Sequence, residues 1–314
     1  MDQRRGFVSG LAAYVIWGFF PIYFHYLRPA GPMEILAHRV IWSVLFVALL
    51  TTAIRRWSRI RAIVAKPKLL AGIAGAAILI GVNWFVYIYG VNTDRVIETS
   101  LGYFITPLIS VLFGVIIFRE QLRPQQWIAI GIGTAAVAVI TYDYGHLPWI
   151  ALVLAGSFGS YGLVKKRLSL PPTDGLLVES SVLALPALIY LIWLASAGKS
   201  TLTNHGAGHL TLLVLAGALT AIPLLLFADA ANRIPMTGLG ILQYVAPVLQ
   251  LASGVFLLDE PMPTALLIGF ALVWVALAIF TWDALHHARR TRLANAAATA
   301  VADDPLASVA QASS

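Results

Sequence analysis

Pro107…Gly114-Val115…Glu120 and Pro247…Gly254-Val255…Glu260 are one pattern written twice, 140 positions apart in a chain of 314 residues. In each copy seven positions separate the proline from the glycine, and thirteen separate the proline from the glutamate. Each copy crosses an apolar stretch and ends at a polar turn ahead of the next one. A chain that repeats itself at long period in apolar segments is expected to consist of two halves with a site between them.

The surrounding composition says what kind of segment is repeated. Hydrophobic residues make up 59% of the chain and charged residues only 11%, against roughly a quarter charged in soluble proteins. The apolar residues gather in runs of about 20, the length of a helix that crosses a hydrocarbon core about 30 Å thick. Ten runs are legible, at 7–27, 33–53, 69–91, 96–118, 125–142, 148–164, 175–196, 209–231, 236–258 and 264–283. Prolines within them are tolerated because neighbouring helices satisfy the carbonyls they free. These runs predict an all-α integral membrane protein of ten transmembrane helices in the lipid bilayer, with no room for a soluble domain. The first run lacks a small-residue cleavage site and reads as an uncleaved first helix.

Net charge is +7, which in a soluble chain would suggest nucleic acid. Placed on ten spans, the basic residues serve another purpose. With the N-terminus in the cytoplasm, 17 of the 21 Lys and Arg fall on the cytoplasmic side, three fall outside and Arg39 lies within a span. The positive-inside rule therefore sets both termini in the cytoplasm, and nucleic acid is not an expected partner. The absence of cysteine removes disulfides, thiolate metal sites and cysteine nucleophiles together.

Ten spans split by the repeat leave five per half, residues 7–142 and 148–283. An odd number makes the second half enter from the opposite side, so the two five-helix repeats are inverted. The loop with Arg119, Glu120 and Arg123 should be cytoplasmic, and its counterpart with Asp259 and Glu260, free of Lys and Arg, external. Trp17-Gly18 and Phe158-Gly159, and Asn92 and Asn232, repeat at similar offsets. Residues 285–314, rich in Ala, Ser and Asp without apolar periodicity, are expected to form a disordered cytoplasmic tail.

Several strings resemble a known family. They are Trp17-Gly18-Phe19-Phe20-Pro21-Ile22-Tyr23, Glu34-Ile35-Leu36-Ala37-His38-Arg39-Val40-Ile41-Trp42-Ser43 and Asn83-Trp84. Two more are Glu98-Thr99-Ser100-Leu101-Gly102-Tyr103-Phe104-Ile105-Thr106-Pro107-Leu108 and Phe158-Gly159-Ser160-Tyr161-Gly162-Leu163-Val164-Lys165-Lys166. Over nearly the whole chain except the tail, they resemble the EamA-type drug/metabolite transporter superfamily and, within it, the RarD subfamily. The resemblance implies ten helices in two inverted repeats, multi-pass insertion in the cell (inner) membrane, and alternating-access movement of small solutes, with export favoured. It associates the subfamily by name with chloramphenicol sensitivity and leaves the physiological cargo undefined.

Candidate site residues are the polar and irregular ones inside spans, since an ionisable group at mid-depth costs at least ~2.5–3.5 kcal/mol. Glu34 and His38 lie one turn apart on the second helix, with Arg39 about 100° round from His38. Arg39 suits an anionic group of a solute; Glu34, His38 and Glu98, near the start of the fourth span, are the proton-coupling candidates. An internal ion pair for Arg39, and simple complementing of the helix end for Glu98, are the competing readings. Pro107 and Pro247 open hydrogen-bond ladders at corresponding points and are read as hinges beside a midplane site, with Tyr103, Tyr244 and Gln243 close to the gaps. Asn83 and Trp17 complete the substrate-binding candidates; Trp17 and Trp84, at mid-depth, either fill the core or line a cavity. Gly156, Gly159 and Gly162 are read as a close-packing face.

A gradient- or exchange-driven transporter fits best, since no ATP-hydrolysing P-loop is present. Zinc-helix, nucleophile-elbow and paired-carboxylate signatures of an intramembrane enzyme are missing, and no repeated selectivity element marks a channel. No cofactor and no metal ligands are expected. The partners expected are a small-molecule solute and the bilayer, and a homodimer is compatible with the pattern.

Overall fold

The computed structural model describes residues 2–118, 122–168, 170–231, 233–234 and 242–302. They form α1 (Asp2–Gly18), α2 (Phe20–Tyr26), α3 (Pro32–Ala53), α4 (Trp57–Val64), α5 (Pro67–Asn92) and α6 (Val96–Phe118). The rest of the chain adds α7 (Pro124–Tyr144), α8 (Trp149–Leu168), α9 (Pro172–Ser196), α10 (Gly206–Ala231), α11 (Val245–Leu257) and α12 (Thr264–Ala302). No strand occurs among the described residues. Proline opens α2, α3, α5, α7 and α9 within the first two positions, where its missing N–H costs no helical bond. Gly145, at φ +66°, closes α7 in the left-handed conformation that glycine adopts without strain.

Eight helical stretches among the described residues are long and apolar enough to cross a membrane, with α1 and α2 counting together as Gln3–Tyr26. Two of the expected spans are realised as shorter apolar helices, Trp149–Lys165 and Val245–Leu257. The polarity of the molecule is inverted relative to a soluble domain. Leu49, Ile78, Leu185 and Phe256 are exposed, whereas Glu34, His38, Arg39, Asn83, Glu98 and Glu179 are buried. Such an apolar exterior requires a hydrocarbon solvent, and the protein is a multi-pass membrane protein.

Two expectations change at the helix ends. The last helix runs to Ala302, well past the expected end of the tenth span and through part of the stretch expected to lack structure. Alanine is the strongest helix former, and low hydropathy does not prevent it from extending a helix already nucleated. A short helix, α4, also appears in the basic connection between the second and third spans. Glu120, Asn232 and residues 303–314 lie outside the described residues.

The helices pack in a small set of pairs: α6 with α8 and α11, α7 with α12, α3 with α9 and α10, α1 with α10 and α11, and α5 with α8 and α9. Glycine sets the distance at two of these crossings. A Cβ on Gly102 would sit 2.8 Å from the Ala151 carbonyl oxygen, and one on Gly217 would collide with the Trp42 carbonyl group. The expected glycine face on α8 does little of this, since a Cβ on Gly156 or Gly162 would meet nothing within 4 Å among the described residues, whereas one on Gly159 would touch α6.

Polar contacts tie the bundle at its two ends. At one end Arg28 pairs with Asp94 at 2.7 Å, and Glu98 pairs with Arg95 and accepts the Ile150 N–H at 3.1 Å. There too Glu260 accepts the N–H groups of Val96 and Ile97 at 2.7 and 2.9 Å. At the other end Arg123 pairs with Asp283, Lys165 with Glu179, and Arg233 with Asp229.

Candidate functional site

Starting at Pro32, α3 carries Glu34, His38 and Arg39 inward in its first two turns, each 3–4% exposed. Arg39 does not form the internal ion pair that burial of a cation ordinarily demands. No carboxylate among the described residues lies within 4.0 Å of it. Its Nε–H donates to Thr220 Oγ1 of α10 at 2.8 Å. Thr220 hands its own proton to the Ala216 carbonyl at 2.8 Å, which leaves its lone pairs for the guanidinium.

Aromatic faces hold the rest of the group. The guanidinium carbon lies 4.2 Å from the Trp84 ring centroid, 5.4 Å from Phe20 and 5.6 Å from Phe24. Each such contact is worth ~0.5–2 kcal/mol, more when water is excluded. Cation–π contacts stabilise the charge without neutralising it. Tyr23, Tyr87 and Tyr103 also lie within electrostatic reach of Arg39. Of these, the Tyr87 hydroxyl is buried without a hydrogen-bond partner among the described residues. A cation and a free donor, both withdrawn from water, have the chemistry to bind an anion.

Asn83 and Tyr103 form one wall of this region. Tyr103 donates its O–H to Asn83 Oδ1 at 3.0 Å, and Asn83 Nδ2 donates to the Leu154 carbonyl and to Ser157 Oγ of α8, both at 3.1 Å. The Tyr103 ring lies 5.7 Å from Tyr87 and meets Phe158 edge-on at 6.0 Å. The site thus draws on α2, α3, α5 and α6 from the first half of the chain and on α8 and α10 from the second.

Two candidates go elsewhere, and a third lies at the margin. Trp17 packs with Tyr14 and Phe227, its carbonyl accepts from Gln250 at 3.1 Å, and it also borders the cluster that holds Phe20, Phe24 and Tyr87. Tyr244 stacks on Phe104 at 6.5 Å within the α6–α11–α12 core, and Gln243 sits half-buried in the turn before α11. The prolines are not equivalent either. Pro107 lies inside α6, whereas Pro247 falls in the first turn of α11, where it removes no intrahelical bond. Its carbonyl accepts from Ser100 Oγ at 2.8 Å, which joins α11 to α6.

Glu34 and His38 belong to a second polar cluster. Glu34 Oε1 accepts from the Thr201 N–H at 2.7 Å and from Ser200 Oγ at 3.1 Å, both on the α9–α10 connection. Thr201 Oγ1 lies 2.8 Å from His209 Nε2, and the His209 ring is 5.6 Å from that of His205. Phe20, Phe24, Tyr23, Tyr87, Thr220, Thr201 and His209 were not singled out by sequence reasoning. An aromatic or a threonine within an apolar run looks like any other, and only the fold assigns it a charged neighbour.

Comparison with known proteins gives the family of the chain. The EamA-like transporter family matches residues 4–142. The chain is 49% identical over 291 residues to protein RarD of Streptomyces exfoliatus, covering 93% of this chain and 92% of that one. It is 40% identical to protein RarD of Escherichia coli K12 over 290 residues, covering 92% and 98%. An uncharacterized transporter, YojE of Bacillus subtilis, is 39% identical over 295 residues, covering 93% and 98%. A solved crystal structure at 20% identity aligns with 90% of this chain and 99% of its own at a TM-score of 0.58, which shows a shared fold.

Proposed function

We propose that this chain, which belongs to the RarD subfamily of the EamA-like transporters, is a secondary active exporter of small organic anions with an apolar or aromatic body. It works in the inner membrane by alternating access around Arg39, with proton coupling. The observation that carries the reading is the buried guanidinium of Arg39, held by Thr220 and three aromatic rings with no carboxylate partner among the described residues. An unneutralised cation in a bundle is expensive, and an anionic solute repays that cost each time it binds. The Tyr87 hydroxyl, without a partner, supplies a hydrogen bond to the same anion.

The packing supports two inverted five-helix repeats. Count the apolar segments from one to ten, taking α1 and α2 as the first and leaving out α4. Exchanging each segment with the one five places away converts α6–α8 into α11–α1, α1–α10 into α8–α5, and α3–α10 into α9–α5. It returns α3–α9, α7–α12 and α6–α11 to themselves. A two-fold relation between the halves predicts this pattern, and Arg39–Thr220 and Asn83–Leu154 both cross from one half to the other. Cytoplasmic termini follow from the basic residues.

The test is counterflow in proteoliposomes with radiolabelled phenylpyruvate and indole-3-acetate. Uptake should saturate and should accelerate when unlabelled probe is loaded inside. Flux that rises linearly and ignores internal probe would indicate a channel, and conversion of the probe would indicate an enzyme.

A further inference from the structure

We propose that Glu34, His38 and His209, linked through Thr201, form the proton-binding site of this protein, and that ionised Glu34 latches the α9–α10 connection to α3. The inference deepens the transporter reading by naming the coupling site, and it separates that site from Arg39.

The groups come from three elements. Glu34 and His38 lie one turn apart on α3, Ser200 and Thr201 lie on the connection, and His209 lies in the first turn of α10. Glu34 Oε1 takes two hydrogen bonds from the connection, and the second of those residues, Thr201, touches His209 through its hydroxyl. His38 senses the charges of both Glu34 and His209, and His209 those of His205 and Glu34. The Nε2 atom of His38 is buried with no hydrogen-bond partner among the described residues. An imidazole nitrogen left open one helical turn from a carboxylate is a position where a proton can bind.

Other charges around the cluster do not lock it. Tyr190 of α9 feels Glu34, Lys199 on the connection is exposed, and Arg39 is committed to Thr220 and the aromatic rings on the next face of α3. Glu98, the other candidate, is held by Arg95 and the Ile150 N–H. It is therefore a helix-end tie between α6 and α8. The described histidines and carboxylates do not converge as a set of metal ligands.

The mechanical consequence follows from the charge on one bond. A hydrogen bond to a carboxylate is roughly twice as strong as one to a neutral acceptor. When a proton from water reaches Glu34, the Thr201 N–H loses its ionic acceptor and the seam between α3 and α10 loosens. When the proton leaves, the latch re-forms. Because Arg39 touches α10 one helical face away, the state of the seam reaches the anion site.

Hydrogen–deuterium exchange on the full-length protein in detergent tests this without any solute. After correction for intrinsic rates, protection of the Thr201 amide should fall about tenfold as the pH is lowered from 8 to 4, about the loss expected when a charge-assisted bond becomes neutral. Glu34→Gln should be weakly protected and flat across that range, and Glu34→Asp should retain the step. His209→Gln and His38→Gln should each move its midpoint by about 0.5–1 pH unit, as expected for coupled sites. Arg39→Gln should keep the step intact while losing phenylpyruvate binding, so failure of the solute reading and failure of this one are distinguishable. Protection of Thr201 that ignores pH in the wild type, or a midpoint unmoved in both histidine variants, would overturn the proposal. So would loss of the step in Arg39→Gln, which would make proton and anion sites one.

Discussion

Arg39 and Lys165 are both cations held inside the bundle against aromatic rings, and they are held in opposite ways. Lys165 Nζ lies 2.6 Å from Glu179 Oε1, the other oxygen of that carboxylate accepts the Tyr161 O–H at 3.0 Å, and Lys165 sits 5.7 Å from the Tyr161 ring centroid. Charge and counter-charge are both present, and nothing is left for a visitor. Arg39 has the aromatic faces and a neutral hydroxyl but no carboxylate among the described residues. A closed pair fastens two helices. An open cation marks where an anion is meant to arrive, and the energetic signature of the two should differ in sign.

The largest effect is expected at the closed pair. Lys165→Met leaves Glu179, 3% exposed, with Tyr161 as its remaining described partner, and should lower stability by about 2 kcal/mol. The ligand affinity of the folded protein should not change. Differential scanning fluorimetry with a parallel binding assay reads both, and Glu179→Gln in the same chain should restore most of the loss. Arg39→Met should do the reverse, since replacing an uncompensated buried cation with an apolar chain of similar length raises stability by about 1 kcal/mol. A large fall in melting temperature there would show Arg39 to be structural and would erase the contrast.

Smaller effects sharpen it. Tyr103→Phe leaves Asn83 Oδ1 without its donor and should cost about 1 kcal/mol. Because Asn83 forms the wall beside Arg39, this should appear partly as weaker phenylpyruvate binding in isothermal titration. The smallest effect concerns Glu260, on the connection between α11 and α12. Burial raises its carboxyl above the usual range, and the Val96 and Ile97 N–H groups oppose that rise. A raised pKa means that the folded state holds the proton more tightly than the unfolded one. Its contribution to stability is therefore full below the ordinary glutamate range and shrinks as pH rises through the raised value. The melting temperature of wild type relative to Glu260→Gln should accordingly decline between about pH 4 and 7.

Reading the sequence succeeded where the bilayer dictates the answer. Long apolar runs stand out because a helix in hydrocarbon must be about 20 residues long and uncharged, and Arg39, Asn83 and Glu34 stand out against that background for the same reason. The method weakened where no such constraint acts. Eight-residue α4 and the extension of α12 to Ala302 lie in polar sequence whose helicity depends on local propensity and on a nucleated neighbour. Tyr244 shares the mid-span placement of Tyr103, yet the fold turns it into another core. The partners that define the two clusters, Thr220 for Arg39 and Thr201 for Glu34, are 181 and 167 positions away. No local pattern announces a contact of that range, and threonine in an apolar helix carries no signal of its own.

The central claim is that Arg39 receives an anion, and the most direct measurement is equilibrium binding of phenylpyruvate and of phenethylamine, its cationic counterpart, to wild type and Arg39→Gln. The account predicts that wild type binds phenylpyruvate and discriminates against phenethylamine, and that Arg39→Gln, folded by its melting curve, loses at least about 100-fold in phenylpyruvate affinity, the loss of a desolvated charge pair. Equal phenylpyruvate affinity in wild type and variant, or preference of wild type for the amine, would contradict it.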